Sequence, residues 1–263
     1  MKDTRRLIIG SYTDRGNFRE NNEDAIFCRA LEVPDGFFAL GAVCDGIGGL
    51  EGGEISSGYV IEAVSDWFER VSGWIDPAAA DPEIIFSHLK DGAEEWNAGL
   101  YEHIRSLGIR SGTTLTAVML LQDRYYILNV GDSRIYRYSP EDGLCQLTVD
   151  SSVSMMVDGR LRSLLDNFMG KSEELRFIAN YGEVCGGDLF LFASDGFYHR
   201  FTEADAAEIY EALSDGRPAD EICAEAAYRM LDRGERDNIS IGVIFNKSAK
   251  TKRRADNSKT EIY

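Results

Sequence analysis

Three apolar runs of this chain each end on an aspartate beside glycine or serine. Run 37–43 leads into Cys44-Asp45-Gly46-Ile47-Gly48-Gly49, run 126–130 into Gly131-Asp132-Ser133, and run 189–193 into Ser194-Asp195-Gly196. Such runs read as buried strands, so each carboxylate stands where a strand leaves the core. Glycine beside the carboxylate lets the backbone turn sharply and lets a ligand approach main-chain atoms without interference from a Cβ. One Asp-Gly step at a strand end is an ordinary turn. Three carboxylates at three strand ends suggest oxygen ligands for a hard cation.

The totals narrow the class. The 263 residues suffice for one large domain or two small ones with a substantial core. Apolar residues at 44% and aromatic residues at 11% describe an ordinary globular protein. A formal net charge of −17 disfavours nucleic acid, whose phosphates need lysine and arginine clusters, and disfavours anionic membrane surfaces. Acidity of this degree fits carboxylates gathered around cations, although solubility alone also explains it. None of the five cysteines (Cys28, Cys44, Cys145, Cys185 and Cys223) lies in a Cys-x-x-Cys pair, so neither a disulfide framework nor a zinc site is indicated. No signal-peptide pattern opens the sequence, and no apolar run approaches the ~20 residues of a membrane span. The expected location is cytoplasmic.

Along the chain, residues 5–12, 25–28 and 37–43 read as strands, with Val33-Pro34-Asp35-Gly36 turning the second into the third. That hairpin brings Glu23 and Asp24 to the end of the sheet that carries Asp45, because antiparallel neighbours start where the partner stops. Residues 54–71 and 82–107 have apolar side chains at helical spacing. His88 and His103 on the second helix lack a ligand partner four residues away and read as surface or edge residues. Short strands are expected at 113–121, 124–130, 134–138, 144–148, 175–181, 189–193 and 239–245. Thr202-Glu203-Ala204-Asp205 resembles a capping box that opens a helix to about Leu213, and 220–233 reads as another helix. Residues 150–171 have no clean period and are expected to be irregular with a short helix. Residues 247–263, basic and polar, are expected to be a disordered solubilising tail following a domain that spans 1–246.

The acidic positions at strand borders are thus Asp24, Asp45, Asp132, Asp195 and Asp237, with Glu23 beside the first. Crowded carboxylates repel one another and need cations to remain ionised together. Two divalent ions about 3.5–4 Å apart can hold a phosphate and activate a water between them. Arg19 could grip phosphate oxygens with two parallel donors; standing alone it is equally a solvated loop arginine.

In order, the chain carries Arg19-x-x-Asn22-Glu23-Asp24, Asp45-Gly46-x-Gly48-Gly49, Ser111-Gly112-Thr113-Thr114, Gly131-Asp132-Ser133-Arg134, Ser194-Asp195-Gly196 and Asp237-Asn238. Together these motifs resemble the metal-dependent serine/threonine protein phosphatases of the PPM (PP2C) type. The resemblance implies an α+β fold, a four-layer α-β-β-α sandwich of two antiparallel sheets flanked by paired helices. It implies two core ions, manganese or magnesium, with Asp45 bridging both and the Gly46 carbonyl on one. Asp195 and Asp237 would bind the other ion, and Asp24 with Glu23 would act through metal-bound waters. Asp132 would join Asp195 on a looser third ion, Arg19 would hold the phosphate, and Asn238 would support Asp237. Ser111 to Thr114 would be structural. The implied reaction is attack of a metal-bridging water on phosphorus, in line with the leaving serine or threonine oxygen. The implied partners are phosphorylated proteins, with a eukaryotic-like serine/threonine kinase as the opposing enzyme, and the protein is expected to be a monomer.

Three departures from the family pattern stand out. Ile47 stands where many animal members carry histidine and bacterial members often carry methionine, which points to the bacterial branch and leaves the leaving-group proton unassigned. Leu50 and Glu51 replace the small or histidine residues often seen there. Asp150 is followed by Ser151 rather than histidine, and Asp166-Asn167-Phe168-Met169-Gly170 only faintly echoes the later part of the family's flap, here about 150–171. The alternative is a catalytically weak relative that keeps the fold and binds or regulates phosphoproteins. A calcium-binding loop is disfavoured because 45–50 lacks the EF-hand ligands at its third and fifth positions.

Overall fold

The computed structural model describes residues 6–47, 52–157, 160–248 and 259–263. Strands β1 (Leu7–Asp14), β2 (Asp24–Val33) and β3 (Gly36–Asp45) precede helices α1 (Gly53–Ser72) and α2 (Pro82–Leu107). Strands β4 (Leu115–Leu121), β5 (Arg124–Val130), β6 (Arg134–Ser139) and β7 (Gly143–Gln146) follow, then β8 (Ser152–Val157), β9 (Arg160–Leu165), β10 (Ile178–Glu183) and β11 (Leu189–Ala193). Helices α3 (Asp195–Tyr198), α4 (Glu203–Ser214) and α5 (Ala219–Asp232) lead to β12 (Ile239–Asn246) and β13 (Lys259–Ile262). One antiparallel sheet has the order β1-β12-β11-β6-β7, and the other β13-β10-β5-β4-β3-β2.

Side-chain alternation along β3 explains why this strand reads as an unbroken apolar run. Phe38, Leu40, Ala42 and Cys44 face α1 and α2, packing with Val64, Trp67, Leu89 and Leu100. Phe37, Ala39 and Val43 face the opposite sheet, where Phe190, Phe192 and Ile244 meet them. The second sheet is covered on its outer side by α4 and α5 through Ile209, Leu213, Ile222 and Met230. Each fully buried side chain of this size contributes about 2 kcal/mol from burial. The result is the expected four-layer sandwich.

Helix limits follow local chemistry. The Asp81 carboxylate accepts from Glu83 N ahead of α2, with Pro82 at its first turn. Thr202 and Asp205 form the reciprocal capping box that opens α4. The buried Asp205 carboxylate also binds Arg229 of α5 and Arg233 just after it, tying the two helices together. Among the described residues, no helix is long and apolar enough to cross a membrane.

Two segments differ from the sequence expectation. In place of an irregular stretch with a short helix, β8 and β9 form an antiparallel hairpin apart from both sheets. Its root is held by Ser151 N donating to Gly131 O and Asp166 N to Ser151 O. Asp158-Gly159, a strong two-residue hairpin signal, separates the strands in sequence. The second difference is the end of the expected disordered tail, where Lys259–Ile262 pairs with the free edge of β10. β-Branched Thr260 and Ile262 suit that edge, and Tyr263 exchanges two main-chain bonds with Phe177 while stacking on its ring. Lys250 to Arg254 lie outside the described residues.

Candidate active site

The register of the first hairpin places Asp24 directly opposite Asp45. Opposed residues share a face, and the parity of β3 makes it the inter-sheet face, at the end where apolar packing stops. Across the sandwich, Ser194, just past β11, and Ser240 of β12 each donate to Asp24 Oδ2 at 2.7 Å. Asp24 is therefore clamped between the sheets. Burial, reinforced by Asp195 and Asp237, pushes its carboxyl up to about 7 even though the two serines favour the ionised form.

Asp45 is braced through its main chain. Its N donates to Thr114 Oγ1, and its carbonyl accepts from Thr114 N and Thr113 Oγ1, each at 2.9 Å. Ile47 N donates to Gly112 O, and Ser111 Oγ donates to Gly52 O. The segment 111–114 thus fixes the strand end from the neighbouring strand's side. Gly46 is required by a close approach, since a Cβ there would stand 2.6 Å from the Glu23 carbonyl oxygen. Burial, then Asp24, Asp195, Asp132 and Asp237, hold the Asp45 carboxyl well above its ordinary range.

The remaining acids come from three turns. Gly131, at φ +111°, turns β5 toward β6 and presents Asp132, whose carboxyl burial pushes up to about 6 with help from Asp195 and Asp150. Asp195 opens α3, and burial followed by Asp237 raises it as well. Asp237 accepts from Asn238 N at 2.8 Å and from Arg19 Nη2 at 2.6 Å. Asn238 in turn binds Glu23 N, Arg15 O and Asn21 O, holding the β1–β2 loop against the site. Glu23 is raised mainly by burial, which Arg19 partly offsets.

The strand pairings put Asp24, Asp45, Asp132, Asp195 and Asp237 at one end of the sandwich, since each borders a strand end on that side and Ser194 joins the two sheets there. Arg19 reaches the same place, but its guanidinium is engaged by Asp237 rather than free. Gly48, Gly49, Leu50 and Glu51 lie outside the described residues. Two contributors were missed in the sequence, Ser194 and Ser240. Ser240 had a signal: it is a polar residue at an inward position of the otherwise apolar run 239–245.

The donor set fits hard divalent ions. Every acidic group is an oxygen donor, and among the described residues no hydrogen-bond donor reaches the Asp45 carboxylate or the Gly46 carbonyl. Among those residues, no three acidic, thiol or imidazole groups already close around one point. Like charges keep carboxylates apart, and an ion between them is what would draw them in.

The sequence pattern of the family described as Protein phosphatase 2C matches residues 18–225. The chain belongs to the protein phosphatase 2C family. This phosphatase 2C chain is 29% identical over 254 residues to serine/threonine protein phosphatase PstP of Mycobacterium tuberculosis (strain CDC 1551 / Oshkosh), covering 90% of itself but only 44% of that relative. It is 28% identical over 248 residues to serine/threonine phosphatase stp of Listeria innocua serovar 6a, covering 88% of itself and 93% of the relative. In structure it is similar to the catalytic domain of PstP in complex with two manganese ions, with a TM-score of 0.68, 25% identity, and coverage of 91% of this chain and 97% of that one.

Proposed function

We propose that this chain hydrolyses phosphoserine and phosphothreonine in proteins, using two manganese or magnesium ions held at the Asp45 cluster. The observation that carries this reading is the Asp24–Asp45 pair facing three further carboxylates at one end of the sandwich, each of the first four raised by burial among its neighbours. The relatives named as serine/threonine phosphatases and the manganese-bound PstP domain support it.

When bound, the ions supply Lewis acidity, which makes water a nucleophile near neutral pH and offsets charge on the phosphoryl oxygens. Asp45, the Gly46 carbonyl, Asp195 and Asp237 would hold the two core ions, and Asp132 with Asp195 a third. Asp24 and Glu23 would orient water from the β2 side, with Ser194 and Ser240 fixing Asp24. Arg19 would leave Asp237 for the phosphate, two of its N–H groups taking the non-reacting oxygens. No described side chain is needed as a nucleophile.

The domain would take in 1–246 together with the strand Lys259–Ile262 that pairs with β10, and the flap would be the stretch at about 150–171. A phosphorylated protein is the substrate, a eukaryotic-like kinase the enzyme whose products it reverses, and the cytoplasm the location, with the protein acting as a monomer. The weak or regulatory alternative is disfavoured because no metal-ligand aspartate of the motifs is missing. The test is phosphate release from a phosphothreonine peptide with and without manganese. Release only with the ion supports the proposal; no release at any manganese concentration refutes it.

A further inference from the structure

An exposed aromatic ring and a cation that pairs with no carboxylate adjoin the Arg19–Asp237 pair. Phe18 is 57% exposed, and the Arg236 guanidinium carbon lies 4.4 Å from its ring centroid. The two immediately precede Arg19 and Asp237, whose side chains meet at 2.6 Å. The loop under Phe18 is not free to wander, because the Asn238 side chain binds Arg15 O, Asn21 O and Glu23 N. The plate is therefore built from two chain segments far apart in sequence and held in place by one asparagine.

Among the described residues, Arg236 differs from three nearby arginines and shares the lack of a carboxylate partner with Arg15, whose guanidinium reaches the Glu20 carbonyl. Arg200 pairs with Glu235, Arg233 with Asp205, and Arg19 with Asp237. Among the described residues, Arg236 pairs with no carboxylate, in a chain whose formal charge is −17. A guanidinium stacked on a ring keeps its in-plane N–H donors directed outward, in a geometry that suits a carboxylate.

Resting on the phosphatase reading above, we propose that Phe18 and Arg236 form a subsite for the residue flanking the phosphorylated one, and that this subsite takes an acidic side chain. The substrate class is then a phosphoserine or phosphothreonine segment with Asp or Glu beside the phosphorylated residue. The flanking carboxylate would pair with the outward N–H groups of Arg236, and its methylenes would cover the open part of the Phe18 ring.

The test compares three phosphothreonine peptides, identical except for Glu, Ala or Lys on both sides of the phosphothreonine, with manganese present. The parent should rank them Glu, Ala, Lys in kcat/KM, with about a tenfold span at low salt that resides mostly in KM and shrinks in 0.5 M salt. In Arg236→Glu the order should invert. In Arg236→Gln and in Phe18→Ala the span should fall to about threefold. Thermal melts check that each variant folds, and the parent's ranking stands as a test even if one does not. A parent that cleaves p-nitrophenyl phosphate and all three peptides equally overturns the subsite and leaves the phosphatase reading in place. A span that persists in both Arg236 variants also overturns it. A parent inactive on every substrate overturns both.

Discussion

Replacing Asp24 by asparagine in the metal-free protein should stabilise it at high pH. Asp24 is buried between the sheets, and its carboxyl is pushed up to about 7 by that burial and by Asp195 and Asp237. In the unfolded chain the same group titrates near 3.9. Between these values the folded state binds more protons than the unfolded one. This group's contribution is therefore fully favourable below about pH 4 and is lost as pH rises through about 7. Three units at 1.36 kcal/mol each amount to on the order of 4 kcal/mol. Asparagine keeps an oxygen that can accept from Ser194 and Ser240 and never ionises. In EDTA, urea unfolding at pH 4 should give similar stabilities for parent and Asp24→Asn, whereas at pH 8 the variant should be more stable by about 2–4 kcal/mol. The pH slope that remains in the variant includes Glu23, Asp45, Asp132 and Asp195, all raised as well. An unchanged slope, or a variant less stable than the parent at pH 8, would refute this reasoning.

Other perturbations separate the roles of the remaining residues. Arg19→Ala should raise KM for a phosphopeptide more than it lowers kcat, and Arg19→Lys should rescue only in part; identical steady-state constants for all three would return Arg19 to a solvated loop residue. Asp132→Ala should slow phosphopeptide turnover while calorimetry still shows the two core ions binding, and an unchanged rate across a manganese titration counts against the third-ion role. Asp205→Ala removes the half of the α4 capping box in which its carboxylate accepts from Thr202 N, and leaves Arg229 and Arg233 without their shared buried partner, so urea unfolding should show a loss of about 3 kcal/mol; a loss below 1 kcal/mol would contradict the tie through Asp205.

The sandwich was legible because its pattern is local. Helical spacing over 82–107, proline and glycine turns, and apolar runs ending on Asp45, Asp132 and Asp195 mark elements that the structure contains at nearly the expected limits. The approach of Asp24 to Asp45 was also legible, since one hairpin fixes it. What escaped the sequence depends on contacts between distant segments. Ser194 and Ser240 reach Asp24 from the other sheet, and the Arg19–Asp237 pair spans most of the chain. The strand at 259–262 depends on the open edge of β10, which its own residues do not reveal. The hairpin at 152–165 was missed for a different reason: the Asp158-Gly159 turn signal was present but hidden within a stretch of mixed polarity.

The most direct measurement is calorimetric titration of manganese into the metal-free protein, parent against Asp45→Asn. The parent should bind at least two ions, and the variant should lose the binding that depends on a carboxylate shared between them. No manganese binding by the parent, or a parent-like isotherm from Asp45→Asn, would contradict the assignment of this cluster as a divalent-metal centre.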